Sequence, residues 1–200
     1  MREISLHILD VAENGVTAGA SRIHIVVEEA RAENVLKIVI RDNGKGISSE
    51  KIDKISDPFV TTRTTRRVGL GLSLLDAAAR RCDGEVKITS EPGAGTEVTA
   101  VFQYDHIDRA PIGDMAASIT TLIAGTPDVD FIYDHSVDGR HFDMDTREIR
   151  KELGDSFQGD PAVIHYLAQT IREHLNRLDK DQMNSEIGVE GNGKIDDSRS

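Results

Sequence analysis

A chain of 200 residues with 38% hydrophobic side chains and a formal charge of −11 holds enough apolar material for one folded domain and an accessory part. The acidic balance argues against a protein built to bind nucleic acid, which needs a basic face to release counterions from phosphates. No apolar run approaches the ~20 residues of a membrane helix, and the N-terminal stretch lacks the basic, apolar, small order of a secretory signal. A cytoplasmic chain with no membrane partner is therefore expected, and the single cysteine, Cys82, reads as a small buried side chain in a reducing compartment.

Residues 4–18 place Ile4, Ile8, Val11 and Gly15 on one helical face and His7, Asp10, Asn14 and Thr17 on another. Residues 22–29 and 35–41 read as two strands of a hairpin. Asp42-Asn43-Gly44-Lys45-Gly46 stops the second strand, and a short polar helix is predicted over 49–55. A helix starting near Gly69 or Leu70 carries Leu72, Leu75, Ala79 and Cys82 and ends at Gly84, and strands follow over 85–90 and 96–104. Beyond residue 106 the pattern predicts a helix over 112–124, a hairpin turning at Asp138-Gly139 and a helix over 146–153. A longer helix begins with Asp160 as N-cap and Pro161 at its first position. These readings divide the chain into a domain over 1–105, a small α+β accessory region over 106–179 and a disordered tail over 180–200.

Three constellations carry chemistry. Asp10 and Asn14 share a helix face four residues apart, so a carboxylate and a neutral oxygen ligand point the same way, a pairing that suits Mg²⁺ and a nucleophile together. Asp42 to Gly46 offers glycines that admit a flat ring and an aspartate that can accept from an exocyclic amine. Gly69-Leu70-Gly71 opens a helix, where free amides and the helix dipole suit phosphate oxygens. Each alone is also what an ordinary solvated helix face, a glycine turn or a helix start looks like. His135, His141, Asp143 and Asp145 show no diagnostic ligand spacing and read as the polar face of a solvated or partner-facing hairpin.

In their order along the chain these elements resemble the GHKL superfamily, which includes histidine kinases, gyrase-type topoisomerases, heat-shock-90 chaperones and mismatch-repair ATPases. Residues 10–23 resemble its N-box, Asp42 to Gly46 its G1 box, Asp57-Pro58-Phe59-Val60-Thr61-Thr62-Arg63 its F-box, Val68 to Leu72 its G2 box, and Gly93-Ala94-Gly95-Thr96 its last glycine-threonine element. The resemblance implies a two-layer α/β sandwich, the Bergerat ATP-binding fold, over about 1–104, with ATP and Mg²⁺ as cofactors. By the same resemblance Asn14 holds Mg²⁺, Asp42 binds the adenine amino group, and Thr96 supports adenine through a water. Gly44, Gly46, Gly69, Leu70 and Gly71 shape the nucleotide pocket, while Phe59 and Arg63 belong to its lid.

Two departures from the family pattern bear on activity. Asp10 stands where the hydrolysing and serine-kinase branches usually carry the longer glutamate. The nucleotide helix also begins almost at Met1, so a stand-alone chain without the two-helix phosphoacceptor segment is expected. Three readings follow: a kinase acting in trans on a phosphoacceptor protein, a slow ATPase or nucleotide switch that regulates a partner, and an interaction module that keeps the fold without the nucleotide. Exposed apolar helix faces in the second region would permit a homodimer.

Overall fold

The structure is a computed structural model that describes residues 3–48, 70–157 and 160–189. The predicted helix over 49–55, Phe59, Arg63, Gly69 and the lid stretch between them lie outside the described residues, and Leu70 is described by its backbone alone.

Helix α1 spans Ile4–Thr17 and buries Ile4, Ile8, Val11, Ala12 and Gly15. No side chain caps its start. Its first free amides are instead met by a distant segment, Ile4 N donating to the Pro111 carbonyl (3.0 Å) and Ser5 N to that of Ile112 (2.7 Å). Gly19, at φ +79°, then turns the chain into β1, Arg22–Ala30, which pairs antiparallel with β2, Val35–Asp42. After helix α2, Leu70–Arg80, come β3, Glu85–Glu91, and β4, Gly95–Gln103. Cys82 is buried behind α2, as its apolar neighbours predict, and burial pushes its thiol up.

Helix α3 is Met115–Gly125 and starts later than predicted, because Gly113 lies at φ +84° and Asp114 caps the helix by accepting from Ala117 N at 2.8 Å. Strands β5, Asp130–Val137, and β6, Arg140–Asp145, form the predicted hairpin around Asp138 and Gly139, both at positive φ. Helix α4, Thr146–Leu153, leads into a 3-10 turn, and α5 runs from Pro161 to Val189 with Asp160 capping it through Ala162 N (2.8 Å). The tail expected to be disordered from residue 180 overlaps α5, which runs to Val189.

All six strands form one sheet in the order β3-β4-β2-β1-β5-β6. Every neighbouring pair is antiparallel except β1 and β5, which run parallel with Ile23 opposite Phe131. The α+β accessory region after residue 105 therefore extends the sheet of the first half of the chain across β1. One sheet face buries Ile23, Ile25 and Val27 of β1, Leu36, Ile38 and Ile40 of β2, Val98, Ala100 and Phe102 of β4, and Phe131 and Tyr133 of β5. These residues pack with Ile8, Leu75, Ile119 and Ile171 of the helices into a single core. The opposite face is mostly half-buried or exposed and carries cross-strand pairs such as Arg41 with Glu97 at 2.5 Å, so the molecule has the expected two layers.

One member of the buried face is charged. Glu29 continues the alternation of Ile23, Ile25 and Val27 and is 5% exposed. Its Oε1 bonds His135 Nε2 at 2.9 Å, and its Oε2 accepts from Arg31 Nη2 (2.9 Å) and the Tyr104 hydroxyl (3.0 Å). His135 Nδ1 bonds the Tyr133 hydroxyl at 2.6 Å. The hairpin's polar residues thus divide between the faces. His135 is buried in this network rather than solvated, while His141 and Asp143 are exposed on the other side.

Burial pushes the Glu29 carboxyl up, but hydrogen bonds from His135 and Arg31, with their charges, outweigh it and hold the group at about 2 against an ordinary 4.5. A depressed carboxylate stabilises the fold above its unfolded pKa and loses that contribution as pH falls through its folded one. Glu29→Gln is therefore expected to lose on the order of 3 kcal/mol near neutral pH. In urea unfolding the wild-type advantage should shrink between about pH 4.5 and about pH 2. An advantage constant over that range would contradict this balance.

Candidate nucleotide site

The predicted residues meet where α1 crosses the end of the sheet. Asp42 closes β2, opposite Ile23 of β1 and Thr96 of β4. Gly15 of α1 lies directly over it, since a Cβ on Gly15 would come within 2.9 Å of the Asp42 Cβ. The helix can approach the carboxylate this closely only because residue 15 has no side chain. Sequence reading placed Gly15 simply on the apolar face of α1, and the contact that requires glycine is non-local.

The loop after Asp42 is held from several sides. Asp42 Oδ1 accepts from Gly44 N at 2.8 Å. Asn43 clamps the α1–β1 turn, its Oδ1 accepting from Ser21 N and Arg22 N (2.9 Å each) and its amide donating to Ser21 Oγ (2.9 Å). Lys45 N donates to the Ala18 carbonyl (3.0 Å), and Gly93 N to that of Lys45 (2.8 Å). Gly46, at φ +67°, lies so close to the β3–β4 turn that a Cβ would fall 2.0 Å from the Glu91 carbonyl oxygen. Ser90, which sequence reading did not single out, ties the turn together: its hydroxyl pairs with Thr96 Oγ1 (2.9 Å), donates to the Gly95 carbonyl (2.7 Å) and accepts from Ile47 N (2.8 Å). Its signal in the sequence is the strand pairing that puts Ser90 opposite Thr96.

Asp10 and Asn14 stand one turn apart on α1, both half-buried. Asp10 lies against the start of α2, where a Cβ on Gly71 would come within 2.8 Å of the Asp10 Cβ. The described residues therefore gather Asp10, Asn14, Asp42, Gly44, Gly46, Gly71 and Thr96 around one end of the sheet. His7, one turn before Asp10, is packed away with its Nδ1 unpartnered, and burial lowers its pKa.

The half-buried amide of Asn14, one turn from Asp10, offers a cation one neutral oxygen. Among the described residues no group of three His, Cys, Asp or Glu side chains is placed to hold a metal, so a metal here would rely on one amide oxygen together with phosphates and water. Burial raises the Asp42 pKa, opposed by the N–H groups of Gly44 and Thr96. A raised carboxyl stabilises the fold only below its unfolded pKa, a contribution lost as pH rises through the folded value, so ionised Asp42 costs stability at pH 7. Asp42→Asn, which keeps an acceptor for Gly44 N, is expected to melt at a higher temperature than wild type at that pH while binding adenine nucleotides more weakly. A lower melting temperature would show that the carboxylate is part of what holds the loop.

The fold is a domain of the two-layer α/β kind, and residues 2–106 match the family described as histidine kinase-, DNA gyrase B-, and HSP90-like ATPases. The chain belongs to that family. It is similar to sporulation kinase D of Bacillus subtilis, with 36% identity over 46% of this chain and 18% of that protein. It is also similar to the tetrathionate sensor histidine kinase TtrS of Salmonella typhimurium, with 32% identity over 51% and 17%. The autoinducer 2 sensor kinase/phosphatase LuxQ of Vibrio parahaemolyticus is 32% identical over 54% and 14%. In each case the match spans less than a fifth of the relative's own length. A solved N-terminal domain of a DNA repair protein has the same fold, with a TM-score of 0.50 at 13% identity over 78% of this chain and 58% of that one.

Proposed function

We propose that the chain binds ATP with Mg²⁺ at the Asp42 end of the sheet and acts in the cytoplasm as a kinase in trans on a protein partner. The observation that carries the reading is the convergence of Asp10 and Asn14 of α1 with Asp42 and Gly71. Asp42 would accept from the adenine amino group, with Thr96 and Ser90 supporting the base through water. The glycines at 44, 46 and 71 leave room for the ligand, and Leu70 and Gly71 would turn the start of α2 toward the phosphates. Gly69, Phe59 and Arg63 would complete the pocket and lid. Asn14 would hold Mg²⁺, whose chemistry is to neutralise charge on the phosphates during transfer. Asp10, one turn away, would orient or deprotonate the incoming nucleophile. The sensor kinases among the relatives support kinase chemistry, and no helix among the described residues is long and apolar enough to cross a membrane.

The test is to incubate the full chain with γ-labelled ATP and a cell extract. A labelled protein that appears with wild type and not with Asp10→Asn, while both bind ATP, supports transfer. Retained ATP binding with no labelled protein would remove the kinase reading and favour a nucleotide switch. The specific ground for the switch is the shorter reach of Asp10 where a glutamate is usual. A switch must bind its partner with different affinity in the ATP and ADP states. No binding of ATP by folded protein would leave an interaction module.

A further inference from the structure

At the end of the sheet away from Asp42, a cavity of about 480 Å³ opens between β1, the segment 109–116 and α5. Glu29 and Leu36 pair there, six residues along β1 from the Ile23–Asp42 pair and so about 20 Å from the nucleotide site. The volume is that of a small-molecule pocket, which commonly runs roughly 300–1,000 Å³. Its walls are mixed, with Ile112, Met115, Val137 and Leu175 giving an apolar surface beside charged groups.

The charges are not equally satisfied. Glu29 is held by Arg31 and His135, Asp179 by Arg31, and Asp114 by Arg172 at 2.9 Å. Every carboxylate in the wall thus has a cationic partner. Arg109 differs: among the described residues its guanidinium donates to the carbonyls of Tyr104 and Ala110, stacks 4.6 Å over the Tyr104 ring and pairs with no carboxylate. A guanidinium has five N–H donors in a fork that matches a carboxylate, and the carbonyl bonds of Arg109 leave part of that fork unused.

We propose that this cavity is a binding site for a small organic monocarboxylate, with its carboxylate on Arg109 and its apolar body on Ile112, Met115 and Leu175. The wall's other charges are already paired, so a second negative charge on the ligand would find no counter-charge, and dicarboxylates and inorganic phosphate bind less well than a monoanion with an apolar tail. The cavity lies outside the nucleotide site, and its occupancy does not depend on ATP.

Calorimetric titration of the full chain with octanoate and hydrocinnamate tests this, with their neutral amides, succinate and inorganic phosphate run alongside. Saturable binding of the monocarboxylates is expected, with the amides weaker by about tenfold or more, the loss of one charge-assisted pair. Succinate and phosphate should also bind more weakly. Arg109→Gln should erase the difference between acid and amide. Leu175→Trp, which fills the cavity from the α5 side, should block both and decides the matter should Arg109→Gln fail to fold. The proposal is overturned by no saturable binding of either acid below about 10 mM, a concentration weaker than any specific small-ligand site. Equal binding of acid and amide, or unchanged affinity in folded Leu175→Trp, would overturn it as well.

Discussion

Asn14→Ala is expected to weaken ATP binding in the presence of Mg²⁺ by about 10- to 100-fold, the usual scale for disturbing a metal's protein environment. Asn14 is half-buried on α1, one turn from Asp10 and adjacent to the glycine that lies over Asp42. Alanine is the better helix former, so the fold should be at least as stable in the variant. The deficit should vanish in a chelator, where wild type and variant are expected to bind ATP equally and weakly. Calorimetry with and without Mg²⁺ reads both effects. A deficit of the same size in the chelator would assign Asn14 to the nucleotide itself and move the metal elsewhere.

Gly95→Ala is expected, with Gly46→Ala, to be among the most damaging single-methyl changes in the described part of the site. Gly95 sits at φ +97°, and a Cβ there would lie 2.0 Å from the Asp42 carbonyl oxygen and 2.9 Å from the Asn43 Cα. Both obstacles are backbone, so relief requires β2 and β4 to separate where Asp42 pairs with Thr96. The expected loss is about 3 kcal/mol or more, combining a left-handed conformation with a steric shift, and the nucleotide affinity of whatever folds should fall with it. Gly93→Ala in the same turn is the control. It has a similar φ of +82° but nothing within 4 Å, so it should lose only about 1–2 kcal/mol from its conformation. Equal destabilisation of the two variants in denaturant unfolding would show that the contact with Asp42 yields freely.

Much of this architecture is written locally in the chain. The apolar spacing of α1, the strands on either side of residues 32–34, the Asp138-Gly139 turn, the 146–153 helix and the Asp160 cap all depend on near neighbours, and the structure places them as the sequence predicts. The parallel joining of β1 to β5 is different, because Arg22 pairs with Asp130 across most of the chain and no periodicity in either strand records it. For the same reason the region after residue 105 reads as an appendage in sequence, although its strands complete the sheet. The Glu29 network was partly legible: alternation from Ile23 puts a glutamate on the apolar face, but its partners Arg31, Tyr104 and His135 come together only in the fold. In the candidate site, residue type and spacing single out Asp10, Asn14 and Asp42, and the resemblance to the family assigns them roles. The reason for Gly15 and the clamp made by Asn43 are tertiary and could not be read in this way.

Asp42 is proposed to mark an adenine site, and calorimetric titration of the full chain with Mg²⁺-ATP and, separately, with Mg²⁺-GTP tests that role. A carboxylate at the base of the pocket accepts from the amino group at position 6 of adenine, whereas guanine presents a carbonyl oxygen there and repels it. Binding of ATP, with GTP weaker by about a hundredfold or more, is the predicted result. Equal binding of the two, or no binding of ATP by folded protein, would contradict it.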